Sequence, residues 1–182
     1  MKIKVGVMGS ATETHSADKE ALTQKAEELG RLIAKQDLVL MTGATTGVVY
    51  VVGKAAHDAG GLHLGISPAH NKHEHTEEYK LPTDACDAVI YTGFGLKGRN
   101  VVLVRSCDIV LFIAGGMGSL NEFTIAHDER KVIGCLLGTG GVADEADLLL
   151  QKFSKVSGAR IFQDEDPKRL LDACLSTVES HQ

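Results

Sequence analysis

The stretch Asp108–Phe123 reads DIVLFIAGGMGSLNEF, and it decides the fold class of the chain. Its apolar run Ile109–Ile113 is short enough for a β-strand and contains no polar residue, as expected of a strand that is buried on both faces. Two glycines then mark a turn, and Gly118 and Ser119 lead into a predicted helix that carries Glu122. A buried strand followed by a glycine turn and a helix is typical of α/β proteins.

Short apolar runs and longer helical patterns alternate along the whole chain. The predicted strands are Ile3–Gly9, Leu38–Gly43, Leu62–Pro68, Ala88–Gly93, Ile109–Ile113 and Val132–Gly138. The predicted helices are Ser16–Gln36 (with Ser16 or Asp18 as N-cap), Thr46–Gly61, Arg99–Cys107, Asn121–Arg130, Ala143–Val156 and Pro167–Val178, the last two around a short RIF segment. Such alternation predicts one α/β domain over residues 1–182, a doubly wound, Rossmann-like parallel sheet with helices on both faces.

The composition is that of a globular domain, with 43% apolar and 24% charged residues. The net charge of −5 and the scattered lysines and arginines argue against a dedicated binder of nucleic acid or membrane surfaces. We expect no signal peptide in MKIKVGVMGS and no membrane span, because no apolar run approaches the roughly 20 residues that a span needs. The four cysteines are widely spaced without a CxxC pair, which predicts reduced, structural thiols in a cytoplasmic protein.

Small residues follow three predicted strands where each strand leads into a helix. The turns are Gly9–Ala11, Gly43–Gly47 and Gly115–Ser119, and their spacing matches neither GxGxxG nor GxxxxGK[ST]. Glycine lets a phosphate approach the backbone, and the first amides of a helix are free donors at the positive end of its dipole. Tight packing would explain any one turn, but three turns at one sheet edge favour a phosphate-bearing ligand. The candidate phosphate-binding residues are Gly9, Ser10, Gly43, Thr46, Gly47, Gly115, Gly116, Gly118 and Ser119.

Glu122 and Arg99 are the candidate catalytic residues. The helix dipole alone accounts for an acidic residue early in a helix, although it contributes only a few tenths of a kcal/mol. An ionised carboxylate beside a phosphate is repelled, so chemistry or binding of a ribose hydroxyl is a better reason for Glu122. Arg99 is predicted near the same sheet edge, where a guanidinium suits phosphate binding, with an exposed surface arginine as the alternative.

Two further features carry weaker hypotheses. The loop Ala69–Asp87 contains His70, His73 and His75, for which a metal site is less favoured than a solvated polar loop or a lid over the sheet edge. We therefore predict no metal site. Few aromatic residues are available to stack on a ligand ring, and Phe94, in the glycine loop after the fourth strand, is the best placed.

The segment GGMGSLNE (Gly115–Glu122) closely resembles the PGGxGTxxE signature of the Lonely Guy family, once labelled lysine decarboxylases. The segment TGATTGVVYVVGKAAHDAGG (Thr42–Gly61) resembles that family's GGGxxGLMGxxAxAAxxAGG segment. The separation of Arg99 and Glu122 also resembles that of the family's paired arginine and glutamate. The resemblance extends over roughly residues 1–140.

This resemblance implies a Rossmann-like homodimer that hydrolyses the N-glycosidic bond of a nucleoside 5′-monophosphate to a free base and ribose 5-phosphate. It implies phosphate binding by Gly115, Gly116, Gly118 and Ser119, and catalysis by Arg99 and Glu122 without a cofactor. A carboxylate near the ribose suits such a reaction, because it can stabilise the oxocarbenium character that develops on the sugar or direct the attacking water.

Several positions differ from the hydrolase pattern. Ala114 replaces the proline, Ser119 the threonine and Asn121 the first acid of the signature, and Asn100 stands where the enzymes often carry lysine. The segments TGFGLKGRN and GISPAHN are more similar to a sister branch that includes molybdenum-cofactor carrier proteins, which hold a pterin phosphate without cleaving it. Two hypotheses therefore stay open, a phosphoribohydrolase and a non-catalytic carrier or sensor of a phosphorylated ligand, each as a homodimer or higher homo-oligomer.

Overall fold

A computed structural model describes residues 1–10, 19–153 and 157–179 of the chain. Its centre is a seven-stranded parallel sheet in the order β4-β3-β2-β1-β5-β6-β7. The strands are β1 (Lys4–Gly9), β2 (Val39–Thr42), β3 (Leu62–Ser67), β4 (Ala88–Tyr91), β5 (Ile109–Ile113), β6 (Val132–Leu136) and β7 (Arg160–Asp164). The predicted doubly wound α/β fold is confirmed.

Helices cover both faces of the sheet. They are α1 (Lys19–Lys35), α2 (Val48–Asp58), α3 (Gly95–Ser106), α4 (Met117–Asp128), α5 (Gly141–Phe153) and α6 (Pro167–Glu179). Apolar residues of α1, α2 and α6 form one core layer, and those of α3, α4 and α5 form the other. Among the described residues, no helix is both long and apolar enough to cross a membrane.

Strand β5 belongs to both core layers, as its apolar run predicts. Ile109 and Leu111 face the layer of α1, α2 and α6, whereas Val110 and Phe112 face the layer of α3, α4 and α5. All five residues of β5 are buried. Alternate side chains of a strand point to opposite faces, so a strand in the middle of such a sheet is apolar throughout.

The central strand β1 pairs with β2 on one side and with β5 on the other. The chain therefore builds β2, β3 and β4 outward in one direction, and then returns to build β5, β6 and β7 in the other. Ligands of open α/β sheets bind beyond the carboxyl ends of the strands at this point of reversal. In this protein that point is the gap between the turns that follow β1 and β5.

Four elements differ from the sequence prediction. A seventh strand, β7, pairs with β6 at the sheet edge, where its partly exposed polar residues conceal the strand pattern. Helices α3 and α4 begin at Gly95 and Met117, one turn before their predicted starts, because their first turns contain glycines that read as loop. The loop after β3 contains a short π-helical segment, Glu74–Glu78. The predicted N-caps Ser16 and Asp18 of α1 lie outside the described residues.

Candidate functional site

The three glycine turns meet in a cleft of about 280 Å³ at the carboxyl ends of the central strands. The turn after β1 contributes Gly9 and Ser10, and the turn after β2 contributes Gly43 and Thr45. The turn after β5 and the start of α4 contribute Gly116–Ser119. The structure thus brings most of the sequence-predicted phosphate-binding residues together at the point of strand reversal.

Three of the predicted residues lie outside this lining in the described part of the chain: Thr46, Gly47 and Gly115. Gly47 and Gly115 have φ angles of 76° and 112°, left-handed values that favour glycine, so both residues shape the turns. Thr46 is exposed, and its neighbour Thr45 takes the place at the cleft.

The turn after β5 is held by hydrogen bonds to the turn before α5. The amide of Ala114 donates to Thr139 Oγ1 at 2.8 Å, and the carbonyl of Gly115 accepts from the amide of Val142 at 3.0 Å. Asp144 in turn accepts from the amides of Gly138 and Gly140. These bonds fix the start of α4, whose first amides have no partner within the helix and lie at the positive end of its dipole.

Arg99 and Glu122 come from facing helices and meet at the floor of the cleft. Arg99 lies on α3 and Glu122 on α4, and both residues are 6% exposed. Arg99 Nη1 lies 3.6 Å from Glu122 Oε1. The Asn100 carboxamide, with its nitrogen toward the carboxylate, donates to Glu122 Oε1 at 3.1 Å and to the Leu96 carbonyl at 3.0 Å. The surface-arginine alternative for Arg99 is therefore wrong.

Burial dominates the electrostatics of this pair. It raises the pKa of Glu122 to about 7, against the opposing effects of Arg99 and then Lys97. Burial also lowers the pKa of Arg99, against the opposing effect of Glu122. Arg99 Nε is buried without a hydrogen-bond partner among the described residues. A buried donor without a partner carries an energetic cost.

A buried histidine supports the turn after β2, and no sequence motif indicated it. His63 Nδ1 donates to the Ala85 carbonyl, which leaves Nε2 to accept from Thr42 Oγ1 at 2.8 Å. Thr42 Oγ1 accepts from the amide of Ala44 at 3.2 Å. Ala44 has a φ of 50°, a strained value for alanine, so these bonds hold the turn that contributes Gly43 and Thr45.

The histidine loop does not line the cleft in the described part of the chain. His75 is buried and bonds Ser67 Oγ at 2.8 Å and the Pro82 carbonyl at 3.1 Å, so it anchors the loop to the domain. Within residues 1–10, 19–153 and 157–179, no group of three or more His, Cys, Asp or Glu residues is placed to hold a metal ion.

Phe94 is 67% exposed and is absent from the described lining of the cleft. Leu96 and Met117 take the place expected for it. They line the cleft from the first turns of α3 and α4, and they are 51% and 77% exposed. The cleft therefore combines the polar side chains of Arg99 and Glu122 with exposed apolar side chains from α3 and α4.

Solved structures of similar proteins cover the whole chain. The crystal structure of TM1055 superposes with a TM-score of 0.83 at 26% identity, over 97% of this chain and 99% of that one. The molybdenum cofactor binding protein of Rippkaea orientalis has a TM-score of 0.74 at 28% identity, over 98% of both chains. The Moco carrier protein of Chlamydomonas reinhardtii has a TM-score of 0.77 at 26% identity, over 100% of both.

The sequence itself matches the profile of one protein family over most of its length. The match covers residues 2–171, from β1 into α6, and so includes every turn that lines the cleft. The chain belongs to the SLOG cluster4 family.

Proposed function

We propose that the cleft binds the phosphate group of a small ligand that also carries a ring system, and that the protein holds this ligand as a carrier. The observation that supports this most is Arg99, a buried guanidinium whose Nε has no partner among the described residues, beside the start of α4. Arginine donors and free helix amides together are a common phosphate site.

A pterin-type cofactor such as the molybdenum cofactor fits this site. Two relatives that align over nearly their whole lengths are named as a molybdenum cofactor binding protein and a Moco carrier protein. The cleft offers donors for a phosphate at Gly116–Ser119 and apolar contacts for a ring at Leu96 and Met117.

Loading with molybdenum cofactor tests the carrier function. The protein is incubated with cofactor released from a molybdoenzyme and desalted, and bound molybdenum and pterin are measured. We expect stoichiometric binding by the wild type and at least roughly tenfold weaker binding by Arg99→Met, because each lost charge-assisted hydrogen bond contributes about 1.5–3 kcal/mol. Arg105→Met, an exposed position on the same helix, is the control. Retention of full binding by Arg99→Met would contradict the site.

The second candidate function is hydrolysis of a nucleoside 5′-monophosphate. Glu122 supports it, because a buried carboxyl with a pKa of about 7 beside an arginine is suited to proton transfer near neutral pH. Chromatography of a panel of nucleoside 5′-monophosphates would detect the free base. Release by the wild type but not by Glu122→Gln supports hydrolysis, whereas no release from any nucleotide leaves the carrier function.

We further propose that the protein acts in the cytoplasm as a homodimer or higher homo-oligomer. Val101, on the same helix as Arg99, is 40% exposed and supplies apolar surface for such a contact. Size-exclusion chromatography with light scattering tests this, and a monomeric mass at micromolar concentration would contradict it.

A further inference from the structure

Arg99 and Glu122 share a buried cleft without forming a hydrogen bond. Their closest atoms, Nη1 and Oε1, are 3.6 Å apart, whereas charge-assisted N–H···O bonds are about 2.7–2.9 Å long. The Nε donor of Arg99 is also without a partner among the described residues. The guanidinium is therefore not saturated by Glu122, and it lines the cleft in which a ligand would lie.

A ligand anion would compete with Glu122 for this guanidinium. Glu122 follows Gly118 by one helical turn, in the helix whose first amides face the cleft, so a bound anion and the carboxylate would be close neighbours. Two negative groups near one buried cation repel each other, and the low dielectric of the site strengthens the repulsion. A proton on Glu122 would remove the conflict.

Other groups near Glu122 do not remove this repulsion between the carboxylate and the anion. Lys97, on α3, is exposed at the rim. Burial raises the pKa of the Cys107 thiol to about 12, so this group stays neutral at ordinary pH. Among the described lining residues, those from β1 and from the turns after β1 and β2 carry no titratable side chain.

We infer that the cleft takes up one proton from solvent together with its anion, and that Glu122 holds this proton. The inference rests on the proposed anion site. Because the Asn100 nitrogen donates to Oε1, the proton belongs on Oε2. The neutral Glu122 then offers an O–H donor, so the cleft favours ligands that carry an acceptor atom near the anionic group. In a hydrolytic reaction the same proton would make Glu122 a general acid rather than an anionic stabiliser of the sugar.

The direction of the pH dependence follows from this. Without ligand, burial places the pKa of Glu122 at about 7, and a neighbouring anion raises it further. Affinity is therefore constant below pH 7, where Glu122 already carries its proton. Above pH 7 each binding event must take a proton from the buffer, so affinity falls by up to about tenfold per pH unit until the pKa of the liganded state is reached.

Sulfate is the probe of choice, because its charge does not change between pH 5 and pH 9 and cannot supply the proton. Calorimetric titrations with sulfate are run at pH 6 and at pH 8.5, each in two buffers of different ionisation enthalpy. We expect affinity at least roughly tenfold weaker at pH 8.5 than at pH 6. The two buffers should report uptake of nearly one proton at pH 8.5 and little uptake at pH 6.

Two variants test whether Glu122 is the group that takes up the proton. Glu122→Gln keeps a neutral side chain with a donor, so it should bind sulfate with equal affinity at both pH values and without proton uptake. Glu129→Gln, at the other end of α4, should behave like the wild type. Proton uptake that persists in Glu122→Gln would overturn the assignment to Glu122.

The wild-type titrations decide the inference even where Glu122→Gln does not fold. Sulfate binding with equal affinity at both pH values and no proton uptake overturns the inference while leaving the proposed anion site intact. Absence of sulfate binding at either pH overturns the anion site itself, and the proton-linked binding with it.

Discussion

The guanidinium of Arg99 lies against the backbone of Gly43, where a side chain at residue 43 would overlap the guanidinium nitrogens. Gly43 belongs to the turn after β2 and Arg99 to α3, so the contact joins elements that are distant in the sequence. The turn after β2 thus forms one wall of the pocket that holds Arg99. This contact gives Gly43 a structural role in addition to the proposed approach of a phosphate.

Gly43→Ala should displace Arg99 and weaken anion binding. The added methyl group cannot be accommodated without a shift of the guanidinium or of the turn, so we expect at least a roughly tenfold loss of sulfate affinity, which corresponds to about 1.4 kcal/mol. Gly60→Ala, outside the described lining and with open space around it, is the control for loss of a glycine away from the cleft. Equal sulfate affinity of Gly43→Ala and the wild type would contradict the role of Gly43.

Glu122→Gln should change how stability depends on pH. The pKa of Glu122 is raised from 4.5 to about 7 in the folded protein. The folded state therefore binds this proton more tightly than the unfolded state does. As pH rises from 4.5 to 7, the free energy of unfolding of the wild type falls relative to that of Glu122→Gln. The difference should reach roughly 3 kcal/mol and stay constant above pH 7, at about 1.4 kcal/mol per pKa unit.

Urea unfolding at pH 5, 6, 7 and 8.5 measures this difference. Glu129→Gln, at a carboxylate whose side chain is 37% exposed, is the control. A difference between Glu122→Gln and the wild type that does not grow between pH 5 and pH 7 would contradict the raised pKa.

Thr42→Val should weaken anion binding by removing the hydrogen bonds that support the turn after β2. Valine cannot bond His63 Nε2 or accept from the Ala44 amide, so both groups lose their buried partner. We expect a loss of about 1–3 kcal/mol in the free energy of unfolding. We also expect a several-fold loss of sulfate affinity, because Ala44 loses the hydrogen bond that holds its left-handed conformation. Thr42→Ser keeps the oxygen and should restore affinity. Weak binding by the serine variant as well would contradict the hydrogen-bonded role.

Leu96→Ala and Met117→Ala should separate ring binding from anion binding. Both side chains line the cleft and are largely exposed without a ligand, so a ring system can bury them. Each variant should bind a nucleoside monophosphate or a pterin phosphate roughly tenfold more weakly, since burial of such a side chain contributes about 1.5–3 kcal/mol. Sulfate affinity should not change. Leu148→Ala, an exposed apolar position on α5 outside the described lining, is the control.

Much of this architecture could be predicted from local pattern. The uninterrupted apolar run of β5 indicates burial on both faces, and the structure places its residues in both core layers. Glycine turns after parallel strands indicate one shared edge, and the cleft collects residues from three such turns. The separation of Arg99 and Glu122 in the sequence resembles that of a known catalytic pair, which predicts that they lie close together. The structure places their nearest side-chain atoms 3.6 Å apart.

The remaining details depend on conformations that residue type does not reveal. Ala44 adopts a left-handed φ because Thr42 and His63 hold it, and this turns Thr45 rather than Thr46 into the cleft. Phe94 lies between two glycines with positive φ, Gly93 and Gly95, which carry it away from the expected position. Packing between distant parts of the chain sets these positions, so they could not be predicted from a local sequence pattern.

The reversal of strand order between β1 and β5 has a consequence for folding. The cleft needs the ends of β1, β2 and β5 side by side, and these strands are brought together only by contacts between distant parts of the chain. No hairpin or helix pair of the described structure contains all the residues that line the cleft. A partly folded chain therefore cannot form the cleft or bind the ligand. Ligand binding should therefore protect the amides of the central strands from hydrogen exchange as one cooperative unit. This protection should include amides that lie far from the ligand.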